Sequence, residues 1–304
     1  MILEVIMISI KIKNLNTKDI SQKFDLEIMG ENLPILFMSK ISFPTAKPKN
    51  TVTYLNNLEH FENFKDSGIK ILITKKGMIE NHLLTQDVCY IFSPNPEKTF
   101  TEISNYIFEN NLYEKIEKKI NKFIDIDSSS FISNNTKIGK NVKIGKNCVI
   151  NENSILKDNV TIGDNCVIGS SGLNVLSQKG RDNKFTETIG GVIIENDVRV
   201  ENFVNISKGT GGRFTKINNG SILGSFVNIG HDSYIGKNSI IIDGTKLSGH
   251  VSIGDEVYLG INTTVLQNIK IGSYSKTGIG TVVTNDIKEN TFVIGNPGRR
   301  ISWK

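Results

Sequence analysis

Cysteine, proline and histidine are all scarce in this chain of 304 residues. Its three cysteines, an odd number without a Cys-x-x-Cys spacing, predict neither a disulfide framework nor a zinc site, and they favour a reducing, cytoplasmic compartment. The six prolines and 27 glycines exclude a collagen-like chain and a disordered chain rich in both residues. A hydrophobic fraction of 38% is sufficient for a sizeable core.

Long hydrophobic runs are also lacking, and the charge is nearly balanced. No stretch approaches the roughly 18 apolar residues that suggest a transmembrane helix. The apolar N-terminus, MILEVIMISIKIK, carries Glu4 before any lysine and alternates near its end, which predicts a strand rather than a signal peptide. The net charge of +5 is spread along the chain and indicates a solvated surface. We therefore expect no integral membrane segment and no nucleic-acid partner.

The dominant pattern in the chain is a period of six. Aliphatic residues recur at this spacing in three runs: Ile126, Ile132, Ile138, Ile144, Ile150, Leu156, Ile162 and Ile168; Ile194, Val200 and Ile206; Ile217, Leu223, Ile229, Ile235, Ile241, Leu247, Ile253, Leu259, Val265 and Ile271. A helix requires spacings of three and four, and a single strand requires two, so six indicates a short strand plus a corner. Three such units close a triangular coil, and coils stack at roughly 4.8 Å.

The repeat also predicts what each position does. The aliphatic residues point inward, and Cys148 and Cys166 pack in the core one coil apart. Glycine or asparagine beside the aliphatic residue is expected to relieve the backbone at the corner. Two breaks in the register, residues 169–193 and 207–216, predict loops, and loops outside a regular solenoid commonly bind ligands.

The periodicity divides the chain into four segments. Residues 1–92 lack the repeat and mix strand-like with helical runs, which predicts a small α/β domain. A linking helix is expected within residues 93–123, after the breaker Ser-Pro-Asn-Pro. The solenoid occupies residues 124–283, and a tail follows over residues 284–304.

Several sequence motifs in the solenoid resemble those of known families. The segments VNIGHDSYIGKNS, KLSGHVSIGDEVYLGINTTVLQNIKIG and GIGTVVTNDIKENTFVIGNPGRRI resemble the sugar-nucleotide N-acetyltransferases of the bacillosamine and sialic-acid type. The ending Gly295-Asn296-Pro297, with Arg299 after it, is similar to the closing motif of acetyl-CoA-dependent hexapeptide enzymes. This resemblance implies a mainly β fold: a left-handed parallel β-helix with a small N-terminal α/β domain and a linking helix.

The order of segments along the whole chain resembles a second family, the UDP-3-O-acylglucosamine N-acyltransferases of the lipid A pathway. In that family an aromatic-x-x-Asn-x-x-Tyr motif binds uridine, and here the positions read Tyr54, Asn57 and His60. The family's second histidine falls on Asn268, and its C-terminal helical extension has no counterpart before Lys304. The two resemblances together imply an N-terminal domain that binds uridine, joined to a C-terminal solenoid that transfers an acetyl group.

Acyl transfer from a thioester to a sugar amine needs a base within hydrogen-bond reach and a donor for the oxyanion. His231 lies where both families place their base. Asp232 is a candidate to orient the imidazole, provided that the pair lies at a corner or across subunits, since neighbours on a strand point to opposite faces. The resemblance assigns the oxyanion contact to the N–H of Gly249, one coil above His231. His250 is a candidate contact for the substrate.

The resemblance also implies an acetyl-CoA donor and a homotrimer with sites between chains. Lys270, Arg299 and Arg300 are candidates to meet the coenzyme A phosphates, although a solvated basic surface is the other interpretation. Gly278 and Gly280 would let the pantetheine arm approach the backbone.

The leading hypothesis is therefore transfer of an acetyl group from acetyl-CoA to the amine of a UDP-linked amino sugar, as in cell-surface glycan biosynthesis. The alternative within the fold is the lipid A step, which moves a 3-hydroxyacyl chain from acyl carrier protein. A hexapeptide-fold carbonic anhydrase would need three histidine ligands, whereas the solenoid offers two, so we expect no metal. A non-catalytic scaffold also remains open. The sequence leaves the amino sugar and its ring position undetermined.

Overall fold

The computed structural model describes residues 9–39, 48–176 and 183–301. These residues form a parallel β-solenoid and a smaller α/β domain, which confirms the predicted mainly β fold with a left-handed β-helix. Residues 1–8 of the predicted N-terminal strand and residues 302–304 of the tail lie outside the described residues, as do residues 40–43 of the strand-like run ILFMSKISF.

The solenoid is a triangular prism whose sides are three sheets, here named faces A, B and C in the order in which the chain visits them. Face A contains the strands Lys119–Ile120, Lys137–Ile138, Ser154–Leu156, Gly191–Ile194, Phe214–Ile217, Tyr234–Ile235, Ser252–Ile253 and Lys270–Ile271. Face B contains Asp125–Ile126, Lys143–Ile144, Thr161–Ile162, Arg199–Val200, Ile222–Leu223, Ile240–Ile241, Tyr258–Leu259, Lys276–Thr277, Phe292–Ile294 and Arg299–Ile301. Face C contains Phe131–Ile132, Val149–Ile150, Val167–Ser170, Asn205–Ser207, Asn228–Ile229, Lys246–Leu247, Thr264–Val265 and Val282–Val283.

The register of the strands explains the period of six. Ile144 pairs with Ile162 on face B, and Ile229 pairs with Leu247 on face C, so residues three repeats apart lie one above the other. Their inward side chains form one continuous core cluster along the prism. Cys148 and Cys166 are buried in that cluster, as predicted.

Asparagine and glycine occur at the corners for different structural reasons. Asparagines such as Asn141 and Asn159 adopt the left-handed conformation, with φ of 55° and 60°, which this residue type tolerates better than most. Most glycines directly after an aliphatic residue do not, so for them the expectation that glycine relieves the backbone was wrong; Gly169, with φ of 83°, does adopt it. A Cβ at Gly230 would lie 2.5 Å from the carbonyl carbon of Ser248 in the next coil. Glycine is therefore required there because the coils approach too closely for a side chain.

The N-terminal domain packs helices on a five-stranded sheet. The sheet order is Glu27–Met29, Cys89–Phe92, Ile71–Thr74, Thr51–Tyr54 and Phe37–Met38, with only the first pair antiparallel. The helices are α1 (Thr17–Phe24), α2 (Phe61–Ser67) and α3 (Pro96–Glu109), and a short 3₁₀ helix spans Asn81–Leu83. None of the described helices is long and apolar enough to cross a bilayer.

Helix α3 belongs to the core of the N-terminal domain rather than standing between two bodies. Its residues Phe100, Ile103 and Ile107 pack with the buried residues of the sheet, since an amphipathic helix needs a partner for its apolar face. The solenoid strands begin at Lys119, and the strand Phe292–Ile294 continues face B into the segment assigned to the tail.

The two breaks in the repeat connect the domains. In the first, the strands Val175–Leu176 and Lys184–Phe185 form an antiparallel pair. This loop is fastened to α3 because Ser104 Oγ donates to the Glu187 carbonyl at 2.7 Å. In the second break, the Gly212 carbonyl accepts a 2.8 Å hydrogen bond from the Ile10 N–H of the N-terminal domain. The interruptions thus bring the N-terminal domain against one edge of the prism.

Candidate active site

The edge where face C turns into face A carries the candidate catalytic residues. His231 follows the face C strand Asn228–Ile229 by two residues, and Gly249 stands at the equivalent position one coil above. The two coils are joined there because the His250 N–H donates to the His231 carbonyl at 2.8 Å. We call this line of corners the C–A edge.

The turn at this edge brings two sequence neighbours face to face. Asp232 has the left-handed φ of 59°, which departs from the strand geometry that would separate the two side chains. As a result, His231 Nδ1 lies 2.8 Å from Asp232 Oδ2. The pair therefore meets the geometric condition set from the sequence, namely a position at a corner.

The Asp232 carboxylate is buried and held from several sides. Thr210 donates to it through its N–H at 3.0 Å and through its hydroxyl at 2.7 Å, and Arg213 Nε lies 3.1 Å from Oδ1. Burial opposes ionisation, but the Arg213 guanidinium and the hydrogen bond with His231 outweigh it and hold the pKa of Asp232 well below its usual range. The carboxylate is thus a fixed negative charge behind the imidazole.

This arrangement selects one tautomer of the imidazole. An ionised carboxylate only accepts hydrogen bonds, so the shared proton resides on Nδ1 of His231. The Nε2 atom is then left with a lone pair and is able to accept a proton. A histidine in this state is suited to general-base chemistry.

Gly249 provides room for the imidazole and an open backbone donor. A Cβ on this residue would lie 2.6 Å from His231 Nε2, so only glycine fits beside the ring. At many comparable positions on the other edges the N–H is capped by a polar side chain one coil above, as in Lys140 with Asp158 at 2.8 Å and Asp164 with Asn202 at 2.7 Å. Gln267 occupies that position above Gly249 and provides no such cap, and within the described residues the Gly249 N–H has no acceptor.

His250 completes the cluster at the edge. Its ring packs edge-to-face against His231 with centroids 5.0 Å apart, and its Nε2 lies 3.7 Å from Asp232 Oδ2. One potential ligand atom from each of His231, Asp232 and His250 lies within 4.8 Å of the others, which is compatible with a metal. However, Thr210, Arg213 and His231 already use the carboxylate oxygens, and a cation would meet the positive charge of Arg213. A proton network accounts for this arrangement more simply than a metal site.

A cavity of about 300 Å³ extends from the C–A edge to the N-terminal domain. Residues of both domains line it, among them Tyr54, Glu97, Phe100, Leu173, Thr210, Gly211, His231, His250, Gln267 and Asn268. The structure thus brings the base candidate and the aromatic candidate Tyr54, far apart in the sequence, to one cavity.

Helix α3 fixes the far wall of this cavity. The Tyr54 hydroxyl donates to Glu97 Oε1 at 3.1 Å, and the Tyr54 ring lies 5.0 Å from the ring of Phe100. Burial and the neighbouring Glu97 carboxylate raise the pKa of Tyr54, so the hydroxyl stays protonated. Asn56, rather than Asn57, joins this group by donating to Glu97 Oε2 at 3.2 Å.

The other two uridine candidates lie elsewhere. Asn57 is exposed, and its side-chain oxygen accepts from the Glu59 N–H at 3.1 Å. His60 occupies the N-cap position of α2, where its side chain makes no capping hydrogen bond. Neither residue lines the cavity. Sequence reasoning missed Thr210, Arg213, Glu97 and Phe100, because no motif marks them and only the fold places them here.

The donor candidates are distributed over different sides of the prism. Lys270 is exposed on face A, and Gly278 and Gly280 lie at the corner between faces B and C, here named the B–C edge. Arg299 is on face B, and Arg300 lines a separate cavity of about 270 Å³ at the C-terminal end. A single chain therefore does not bring these residues together with His231.

Comparison with known proteins agrees with the fold. Residues 142–171 match the family model described as bacterial transferase hexapeptide (six repeats). No curated protein sequence matches the chain.

Solved structures extend this match over the solenoid. A UDP-N-acetylglucosamine acyltransferase from Campylobacter jejuni is 24% identical over 60% of this chain and 74% of its own, with a TM-score of 0.51. The corresponding enzyme from Francisella novicida is 25% identical over 60% and 67% of the two chains, with a TM-score of 0.42. A serine acetyltransferase in complex with coenzyme A is 24% identical over 33% and 40%, with a TM-score of 0.26. The chain thus carries the hexapeptide repeat of bacterial transferases and shares the left-handed β-helix fold of the UDP-N-acetylglucosamine acyltransferase.

Proposed function

We propose that the protein is an N-acyltransferase that moves an acetyl group from acetyl-CoA to the amine of a UDP-linked amino sugar. The observation that carries the proposal is the His231–Asp232 pair, which opens onto a cavity reaching Tyr54 and Glu97 of the N-terminal domain. A base and a nucleotide-sized recess in one cavity fit a nucleotide-linked acceptor.

In the proposed reaction the acceptor amine attacks the thioester carbonyl carbon. Nε2 of His231 accepts the proton that the amine loses, while Asp232 stabilises the imidazolium that forms. The open N–H of Gly249 donates to the oxyanion of the tetrahedral intermediate. Collapse of this intermediate forms the amide and releases the thiolate, which takes the proton from His231.

Acceptor recognition is assigned to the wall built by α3. The ring of Tyr54 offers a stacking surface for uracil, and its hydroxyl is fixed by Glu97. Asn57 and His60, which match the other positions of the aromatic-x-x-Asn-x-x-Tyr motif, lie outside the cavity. The proposal therefore depends on Tyr54 among the residues of that motif. His250 and Asn268 are positioned to meet the sugar beside the base.

The distribution of donor candidates supports a homotrimer. His231 lies on the C–A edge, whereas Gly278 and Gly280 lie on the B–C edge of the same prism. A donor that contacts both edges has to lie between two chains. The cytoplasm, where acetyl-CoA is available, is the proposed location.

An exposed apolar strip supports the same assembly. It follows the B–C edge and the adjoining part of face B, and it consists of Phe203, Ile222, Phe226, Tyr258, Ile261 and Ile279. The rings of Phe203 and Phe226 stack with centroids 4.9 Å apart, and Ile279 is 76% exposed. Contiguous apolar surface of this kind is typical of protein interfaces.

A screen of UDP-linked amino sugars with acetyl-CoA, read by thiol release, tests the proposal. We expect one acceptor to react, and we expect His231→Ala to lower its kcat roughly 10²–10⁴-fold while coenzyme A binding persists. A fall of less than tenfold would remove His231 as the base, and the absence of any acceptor would favour a non-catalytic scaffold.

A longer acyl chain delivered by acyl carrier protein is the second candidate. It is favoured by Leu173, which is 83% exposed and lines the cavity beside Val175 and Met38. Competition between acetyl-CoA and 3-hydroxyacyl carrier protein distinguishes the two donors. A preference for the acyl carrier protein would identify the longer acyl chain as the transferred group. This preference should be lost in Leu173→Asn and kept in the nearby surface variant Lys184→Gln.

A further inference from the structure

The first coil of the solenoid forms an apolar end. Its strands Lys119–Ile120, Asp125–Ile126 and Phe131–Ile132 are the terminal strands of faces A, B and C. Ile120 is 38% exposed, Phe123 82% and Phe131 61%. Repeat proteins usually cover such ends with a polar cap, so this exposed apolar surface needs an explanation.

The same end concentrates the positive charge of the protein. Residues 114–146 contain eight lysines and four acidic residues, a net charge of +4 against +5 for the entire chain. The lysines, all exposed, are Lys115, Lys118, Lys119, Lys122, Lys137, Lys140, Lys143 and Lys146. In the part of the chain that the structure describes, none of them forms an ion pair. The excess positive charge is therefore concentrated at this end, and the expectation that it is spread along the chain was wrong.

The fold stacks these lysines on neighbouring coils. Lys119 pairs with Lys137 on face A, so the two side chains project from adjacent strands on the same side. On face B, Lys143 pairs with Asp125 of the first coil. Lysines thus surround the exposed Phe123 and Ile120 along the rim of the end.

We propose that this end of the solenoid docks on the surface of an anionic lipid bilayer. Exposed aromatic and aliphatic side chains enter the headgroup region, and lysines are attracted to anionic headgroups, so the two features together fit a membrane interface. Among the described residues no further strand pairs with the outer side of these terminal strands, and their outward N–H and C=O groups stay hydrated at the depth of the headgroups. The inference does not depend on the proposed transferase activity.

The charge and the apolar side chains of this end disfavour a second copy of the chain or a nucleic acid as its partner. Two such ends meeting face to face would bring like charges together, which disfavours end-to-end contact with a second copy. A nucleic-acid backbone would satisfy the lysines but would offer no apolar environment to Phe123 and Phe131.

Vesicle co-sedimentation of the full chain tests the proposal. The probes are phosphatidylcholine vesicles with about 30% phosphatidylglycerol and vesicles of phosphatidylcholine alone, near 0.1 M salt, where the Debye length is about 10 Å. We expect binding to the anionic vesicles only, with most of it lost near 0.5 M salt. Absence of binding to the anionic vesicles would overturn the proposal.

Two sets of variants separate a specific surface from general attraction. The quadruple variant Lys119→Gln, Lys122→Gln, Lys137→Gln, Lys140→Gln should lower the partition coefficient at least tenfold, since each lysine contributes about fivefold. The control Lys18→Gln, Lys75→Gln, Lys237→Gln, Lys246→Gln removes the same charge elsewhere and should bind nearly as well as the wild type. Equal losses in both would overturn the proposal.

The pair Phe123→Ser, Phe131→Ser distinguishes a lipid surface from any polyanion. We expect this double variant to weaken vesicle binding at least fivefold. Its fold, measured by circular dichroism, and its net charge, measured by electrophoresis, should stay unchanged. Unchanged vesicle binding by this pair, or wild-type binding to duplex DNA as tight as to vesicles, would assign the lysines to another partner and overturn the proposal.

Discussion

At the scale of single residues, the candidate site depends on one buried carboxylate. Asp232 receives hydrogen bonds from Thr210, lies beside Arg213 and fixes the ring of His231. Breaking a buried ion pair by removing one partner is costly, because the other charge is left uncompensated. The same carboxylate therefore holds the loop of the second break and is positioned to orient the candidate base.

Replacing this carboxylate by an amide tests its orienting role. We expect Asp232→Asn to lower kcat roughly 10²–10⁴-fold and to change KM little, because the amide no longer fixes the proton on Nδ1. Steady-state kinetics check this outcome. Asp158→Asn removes a corner aspartate of the A–B edge, away from the cavity, and should retain full activity; a similar kcat in both variants would contradict the role of Asp232.

The lowered pKa of Asp232 also predicts a pH dependence of stability. An aspartate whose folded-state pKa lies below its ordinary value of 3.8 contributes stability that is present above that value and lost as the pH falls below it. Denaturant unfolding at intervals between about pH 6 and pH 3 should show a steeper acid loss in the wild type than in Asp232→Asn. Parallel curves would indicate that the carboxylate is not ion-paired in the folded protein.

Gly249 allows a steric test of the site. A methyl group there would lie 2.6 Å from His231 Nε2 and would displace the ring. We expect Gly249→Ala to lower kcat at least tenfold with little loss of thermal stability, since the ring can move toward the cavity. Ser248→Ala, at the exposed neighbouring position, serves as the control and should leave kcat unchanged.

At the scale of elements, the loops and α3 determine the shape of the cavity. Both breaks in the repeat leave the prism at the C–A edge and return after contacting the N-terminal domain. Helix α3 holds Tyr54 in the far wall of the cavity through Glu97 and Phe100. A regular solenoid without these loops would leave His231 on an open edge.

The wall built by α3 predicts separate effects on the two substrates. Tyr54→Ala should raise KM for the UDP-sugar roughly 5–150-fold, because one stacking contact with a base contributes about 1–3 kcal/mol to binding. The KM for the acyl donor should stay nearly unchanged. Tyr54→Phe keeps the ring and loses only the hydrogen bond to Glu97, so its KM should stay within a few fold of the wild type. A folded Tyr54→Ala enzyme with an unaltered KM would remove uridine from this wall.

At the scale of the whole molecule, one chain provides only part of the proposed site. The candidate base His231 lies on the C–A edge, while the donor candidates Gly278 and Gly280 lie beside the apolar strip on the B–C edge. A cyclic assembly around an axis parallel to the prism would juxtapose the two edges and point every first coil in one direction. Several basic ends would then meet a membrane together, which strengthens binding through multivalency.

Substitutions that keep the corner conformation test this assembly. Phe203 and Phe226 have φ of 58° and 60°, a conformation that asparagine adopts readily, so Phe203→Asn with Phe226→Asn should preserve the fold. Light scattering should show a trimer for the wild type and smaller species for this variant. Tyr274→Asn, at an exposed corner with φ of 61°, is the matched control. A wild-type protein that is monomeric and active would contradict the trimer.

The sequence by itself determined the solenoid, because each inward position repeats the same requirement. An aliphatic residue every six positions buries itself only in a stack of triangular coils, so the pattern at Ile229 or Leu247 is sufficient to predict strand, corner and core. The corner pair of His231 and Asp232 followed from the same register and a family resemblance.

Only the tertiary structure decided what surrounds that pair. Thr210, Arg213, Glu97 and Phe100 belong to segments with no repeat, and their contacts with Asp232 and Tyr54 join residues distant in the sequence. Such contacts depend on how two domains pack, which no local period encodes. For the same reason Asn57 and His60, matched by spacing alone, lie outside the cavity, whereas Asn56 reaches Glu97.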